Sequence, residues 1–199
     1  MVLAMQSTQR QGLILASTSP RRRQLLAEAG YAFEVVAPRF EEPDDPLPHV
    51  SPMMHVESLA YFKARSVAGE YFQQTILAAD TLAFYDNTLI GKPSDADDAR
   101  AILTRLAGTS HQVITGVALL APASGRRLLQ HEVSIIHMRP LTSRQIDDYI
   151  ETGEWRGKAG AYGIQDHGDE FVERYEGSFS NIVGLPMELV GRMLSNWVA

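Results

Sequence analysis

The chain contains no cysteine, so disulfides, thiolate zinc sites and a cysteine nucleophile are all excluded. That absence fits a reducing cytoplasm. No apolar run approaches the roughly 20 residues that a membrane helix needs. The opening MVLAMQSTQRQG lacks the charged stretch and apolar run of a secretory leader. It reads as a short mobile extension over residues 1–12. Neither GxxxxGK[ST] nor GxGxxG after a strand is present, so a P-loop NTPase and a Rossmann oxidoreductase both lack their signatures. SxSPRR is not a GxSxG nucleophile elbow. His49, His55, His111, His131, His137 and His167 show neither HExxH nor HxH spacing, which leaves a histidine-based metal site without support. A basic excess is also missing: 18 Lys and Arg stand against 24 Asp and Glu, for a net charge of -6 at pH 7. This argues against a general nucleic-acid binder, whose phosphate contacts need a basic face. It leaves room for a small basic pocket.

What is present suits one domain over residues 13–199. At 199 residues and 45% hydrophobic content the chain is long and apolar enough for a packed core. Leu13–Ala16 reads as a strand that stops at Ser17-Thr18-Ser19-Pro20, where Ser19 and Pro20 are a good helix start. Gly30 ends that helix, and Tyr31–Ala37 reads as a second strand. Residues 39–52 are a Pro- and acid-rich loop, and Val56–Tyr71 has helical spacing. Thr75–Ala79 is a strand running into Asp80-Thr81 at its end. Leu82–Tyr85 and Thr88–Ile90 flank a turn and suggest a hairpin. Ala96–Leu106 is a helix with acidic residues at its front. Gln112–Ala121 and Arg127–Met138 are long β segments. Thr142 with Gln145 resembles a capping box for a helix to Glu151. Short strands are expected near 163–165 and 171–174, and a closing helix over 185–197. Helices mixed with hairpins predict an α/β fold whose sheet is mixed rather than wholly parallel.

Five places put polar groups at the ends of apolar elements, where ligands of α/β folds commonly sit. In STSPRRR, three arginines, Arg21, Arg22 and Arg23, follow the helix start, an end that already carries partial positive charge. Either they are solvated, or Ser17, Ser19, Arg21 and Arg22 hold phosphate oxygens with the helix-start amides. Glu41-Glu42 is either solvated or a source of metal ligands. Lys63 lies between Ala60 and Ala64 on an apolar helix, either snorkelling to water or serving a site. Asp80, at a strand end, is either a turn former or a general base or metal ligand. Lys92 after Gly91 is a turn lysine or a phosphate contact. Cations, carboxylates and a water-orienting Asp together are what phosphoryl or nucleotidyl cleavage requires.

LASTSPRR, EE, LAYFKA, AADT, IGKP and GKAGAYGIQ through GSFSNIVGLP resemble, in order and spacing from about Leu13 to Leu194, the Maf family of nucleoside triphosphate pyrophosphatases. The resemblance implies hydrolysis of a nucleoside triphosphate to its monophosphate and pyrophosphate with a divalent cation, Mg2+ or Mn2+. It implies a mixed, twisted sheet flanked by helices, of the inosine-triphosphatase type, with a cleft between two lobes, and usually a homodimer. It makes Asp80 the catalytic base, matches Ser17, Arg21, Glu41, Lys63 and Lys92 to pocket positions, and gives Asp80 and Glu41 to the metal. Arg21, Thr81 and Gln165 fall where the dTTP/UTP subgroup has Arg, Thr and Gln, and Gln165 offers both donor and acceptor to a pyrimidine edge. One departure is Gly157, where many members have Asp before the lysine. Two alternatives remain: a nucleotide-sensing or nucleic-acid-binding regulator of cell division, and a pyrophosphatase for modified nucleotides.

Overall fold

The computed structural model describes residues 12–41, 50–164 and 167–197. The expected extension, apart from its last residue, and Glu42 and Gln165 therefore lie outside the described residues. Among these, seven strands form one mixed sheet: β1 Leu13–Ala16, β2 Phe33–Val36, β3 Thr75–Tyr85, β4 Thr88–Ile90, β5 Ser110–Ala121, β6 Arg126–Met138 and β7 Val172–Glu176. The order is β2-β1-β3-β5-β6-β7, with β4 on the β3 edge. β1 runs parallel to β2 and β3, whereas β4, β5, β6 and β7 are joined by antiparallel pairings. The helices are α1 Pro20–Glu28, α2 Pro52–Val67, α3 Ala96–Leu106, α4 Ser143–Thr152, α5 Phe179–Val183 and α6 Met187–Trp197. No helix among the described residues is long and apolar enough to cross a membrane.

The period of two along β3 sorts the core. Ile76 and Ala78 face α2, packing with Ala60, Ala64 and Val67. Leu77 and Ala79 face the other way, onto Leu26 of α1 and Leu189, Val190 and Met193 of α6. Beyond Ala83 the same long strands carry a second core, where Val113, Ile136 and Met138 meet Leu103 and Leu106 of α3 and Ile146, Tyr149 and Ile150 of α4. Two lobes thus share β3, β5 and β6.

Several expectations are refined. Asp80 does not end a strand: β3 is continuous for 11 residues, and Asp80 pairs across to Gly116 in β5. The expected strand over 163–165 is absent at Gly163 and Ile164, which follow the short turn Ala159–Ala161 instead. In that turn Gly160 and Ala161 both take positive φ, 77° and 63°. An alanine there is strained, and a repeating strand conformation is ruled out locally. The short helix α5 was not legible in its five residues. The Thr142–Gln145 capping box is formed.

His111 of β5 is 2% exposed, and its Nε2 lies 2.9 Å from the Tyr162 hydroxyl, tying the Gly160–Tyr162 turn to the second core. Burial lowers its pKa from 6.5 to about 4 and pushes that of Tyr162 upward. The folded state therefore binds fewer protons than the unfolded chain between these values. Stability is full above about pH 6.5 and falls as pH drops toward 4, by on the order of 3 kcal/mol from this residue. Denaturant unfolding of wild type and His111→Gln across pH 4 to 7 should show the variant with the flatter dependence.

Candidate functional site

A cleft of about 610 Å3 opens between the lobes. Its origin is the shortness of β1. The β1 pairing with β3 ends at Leu15 opposite Leu77, and β4 pairs with β3 only from Ala83. Between those points the β3 edge has no strand partner on that side among the described residues, and Asp80 and Thr81 of this stretch line the cleft. β1 stops because Ser17–Ser19 turn the chain into α1. The Ser17 hydroxyl accepts from the Ser19 amide at 3.1 Å, and Ser19 caps α1 by accepting from the Arg22 amide at 3.5 Å. The same turn that ends the strand thus presents a helix N-terminus to the cleft.

Ser17, Ser19, Arg21, Arg22, Lys63, Asp80, Thr81 and Lys92 all line this one cleft. Arg23 is exposed and outside it. Glu41 is exposed and is not among the lining residues, although the adjacent Phe40 is. Sequence reasoning left two cations unassigned, Arg156 and Lys158, which also line the cleft. Lys158 sits in the GKAGAYG stretch, but nothing local to that stretch signals that its side chain is buried. Among the described lining residues six basic side chains face a single carboxylate, Asp80. A chain of net charge -6 therefore concentrates positive charge in this cleft, which focuses an anion there.

The pairing of Asp80 follows from strand alternation and helix spacing. Asp80 lies on the Ile76 and Ala78 face, toward α2. Lys63 is on the α2 face shared with Val56 and Ala60, at i+7 and i+3. It does not snorkel: it is 6% exposed, Asp80 is 3% exposed, and its ammonium donates to Asp80 Oδ1. Gly116, opposite Asp80, makes room for this, since a Cβ there would lie 2.4 Å from the Val56 carbonyl carbon and oxygen. The second carboxylate oxygen, Oδ2, is buried with no hydrogen-bond partner. A buried unpaired oxygen of this kind is unfavourable by itself, and beside a cleft it is a ready acceptor for a cation or a water proton. Among the described residues no three His, Cys, Asp or Glu side chains converge. The donor set therefore fits a hard divalent cation held by one carboxylate together with ligand oxygens, and does not fit an all-protein metal cage.

Thr81, on the opposite face of β3, accepts a hydrogen bond from Arg22 Nη2 at 3.0 Å, and Arg22 Nε donates to the Gly184 carbonyl at 2.8 Å. Apolar and aromatic groups, among them Ala83, Val113, Tyr162 and Ile182, also line the cleft.

A family model described as Maf-like protein matches residues 12–197. A dTTP/UTP pyrophosphatase of Bdellovibrio bacteriovorus is 41% identical over 192 residues, covering 93% of this chain and 98% of that protein. One of Symbiobacterium thermophilum is 43% identical over 188 residues, covering 94% of each. In fold, the chain is similar to the Staphylococcus aureus Ham1 protein, with TM-score 0.53 and 11% identity over 94% of this chain and 99% of that one.

A buried ion pair that loses one member leaves an uncompensated charge. Lys63→Met should destabilise the protein by about 3 to 5 kcal/mol. Adding Asp80→Asn to that variant should recover most of the loss, because the buried charge is then gone. Urea unfolding of the two single variants and the double variant measures the coupling; additive losses would mean that the two side chains do not interact.

Proposed function

The chain belongs to the Maf family, and from that premise we propose that it hydrolyses nucleoside triphosphates, with dTTP and UTP as preferred substrates, to the monophosphate and pyrophosphate. The observation that carries this reading is the cleft's charge pattern: six cations and a capped helix start around one buried carboxylate with an unpartnered oxygen. A triphosphate brings roughly four negative charges, and charge develops further on its oxygens as the bridging P–O bond breaks. Curated relatives at about 40% identity bear the corresponding name.

Each side chain then has a defined task. Ser17, Ser19 and Arg21 at the start of α1, with Lys92 from beyond β4, hold phosphate oxygens by charge-assisted hydrogen bonds. Arg156 and Lys158 add to this from the glycine-rich stretch. Lys63 fixes the rotamer of Asp80 by occupying Oδ1. Oδ2 remains to accept a proton from an attacking water, the role of a general base. A divalent cation, Mg2+ or Mn2+, would be held by Asp80 with the substrate's own oxygens and would supply charge neutralisation and polarisation of a phosphoryl oxygen. Glu41, exposed at the edge of the described residues, is retained as a second ligand for that cation, and Gln165 as the reader of the pyrimidine edge. The same reading expects a cytoplasmic homodimer, which light scattering after size exclusion checks for the oligomeric state.

Asp80→Asn keeps an acceptor for Lys63 and removes the base, so kcat on dTTP should fall by about 100- to 10,000-fold with an unchanged circular dichroism spectrum. A variant with wild-type kcat removes Asp80 from the chemistry. Turnover of dTTP, UTP, CTP, 5-methyl-UTP, ITP and 7-methyl-GTP, each with chelator and with Mg2+ or Mn2+ restored, tests the substrate class and the metal together. A preference for ITP or 7-methyl-GTP would move the enzyme to another substrate class.

A further inference from the structure

The Arg22–Thr81 contact continues inward. Thr115, directly opposite Thr81 in the β3–β5 register and fully buried, has its hydroxyl 2.9 Å from the Thr81 hydroxyl and donates to the Asn181 carbonyl at 3.1 Å. Asn181, also fully buried, fixes α5 to the sheet through its amide nitrogen, which donates to the Val113 carbonyl at 3.0 Å and to the Ser134 hydroxyl at 2.9 Å. A threonine hydroxyl has one proton to give. Thr115 gives its proton to Asn181, so Thr81 gives its own to Thr115, the shorter of the two acceptors within its reach, the other being Gly184 at 3.4 Å. Arg22 in turn donates to Thr81. The bonds run one way, from the guanidinium through two hydroxyls to a backbone carbonyl of α5, and in a buried chain each bond polarises the next.

This direction changes what Thr81 offers. Its proton is committed inward, so it is not a donor to a ligand in the cleft. The relay instead joins the cleft's two walls: the start of α1, with Ser19 and Arg21, and the Ile182–Gly184 segment after Asn181, all of which line the cleft. We propose that Thr115 is a positioning residue for the triphosphate seat, setting through Thr81 and Arg22 where the start of α1 stands against Gly184. The proposal rests on the assignment of the cleft to a nucleoside triphosphate.

Thr115→Val keeps shape and removes the hydroxyl. The KM for dTTP should rise about tenfold, the worth of one well-placed hydrogen bond, with kcat little changed. The affinity for inorganic tripolyphosphate, by titration calorimetry, should fall by a similar factor. Thr115→Ser should restore both. In a Thr81→Val background, Thr115→Val should add nothing, since the chain is already cut. A purely structural residue would lower the melting temperature and the folded fraction without moving KM or tripolyphosphate affinity in the folded enzyme. If Thr115→Val does not fold, Thr81→Val alone must show the same affinity loss. Wild-type KM and affinity in Thr115→Val, or losses that multiply in the double variant, overturn the relay. A wild-type protein that binds tripolyphosphate but turns over no nucleotide overturns the proposed function and leaves the relay to the affinity measurement. Binding of neither overturns both.

Discussion

The buried pair of Lys63 and Asp80 is the constraint on which the rest of the site depends. Taking two charges out of water is expensive, and attraction offsets this only with close geometry. The fold supplies that geometry from both sides. Strand β3 runs uninterrupted through Asp80, holding its backbone by pairing with Gly116. The missing side chain of Gly116 lets α2 lie directly on β5. Without that approach the ammonium of Lys63 would stand off from the carboxylate, and the cost of burying both charges would go unmatched. The pair also leaves one oxygen unmatched, and a core that tolerates such an atom beside an open cleft has a use for it.

Much of the fold was legible because its signals are local. The Ser19-Pro20 cap, the Thr142–Gln145 box and the Asp86-Asn87 hairpin rest on side-chain chemistry within a few residues, and the structure forms each of them. The site was legible in membership more than in geometry. Ser17, Arg21, Lys63, Asp80, Thr81 and Lys92, named from separate motifs, line one cleft. What local reasoning misplaced were long-range matters. A charge after an apolar run reads as a strand end, because burial of an unpaired Asp is unfavourable. Its partner lies 17 residues earlier on another element, where a lysine among alanines reads as snorkelling. Arg156 and Lys158 escaped assignment for the same reason: only the return of the glycine-rich stretch past β4, fixed by the Gly160 amide on the Gly91 carbonyl at 3.1 Å, brings them to the cleft.

Charge is distributed here with a selective effect. An acidic surface repels polyanions at long range, while six cations gathered in a concave site attract a small one at short range, where screening by salt is weakest. A flat basic stripe of the same total charge would attract nucleic acid instead. Apolar groups, Val113 and Tyr162 among them, share the cleft's lining with these cations, so the same cleft offers both charge and apolar surface.

Three consecutive arginines at a helix start illustrate how one turn of backbone divides labour. Successive residues on a helix project about 100° apart, so Arg21, Arg22 and Arg23 leave the helix in different directions. Arg21 lines the cleft and Arg23 is exposed. Arg22 spends two of its nitrogens on Thr81 and the Gly184 carbonyl. Its charge still contributes to the field of the cleft, but its geometry belongs to the scaffold. The unfavourable placement of cations against the helix dipole is thus met differently at each position: by exposure to solvent for Arg23, by carbonyl and hydroxyl acceptors for Arg22, and for Arg21 by a place on the cleft's lining, open to an anion.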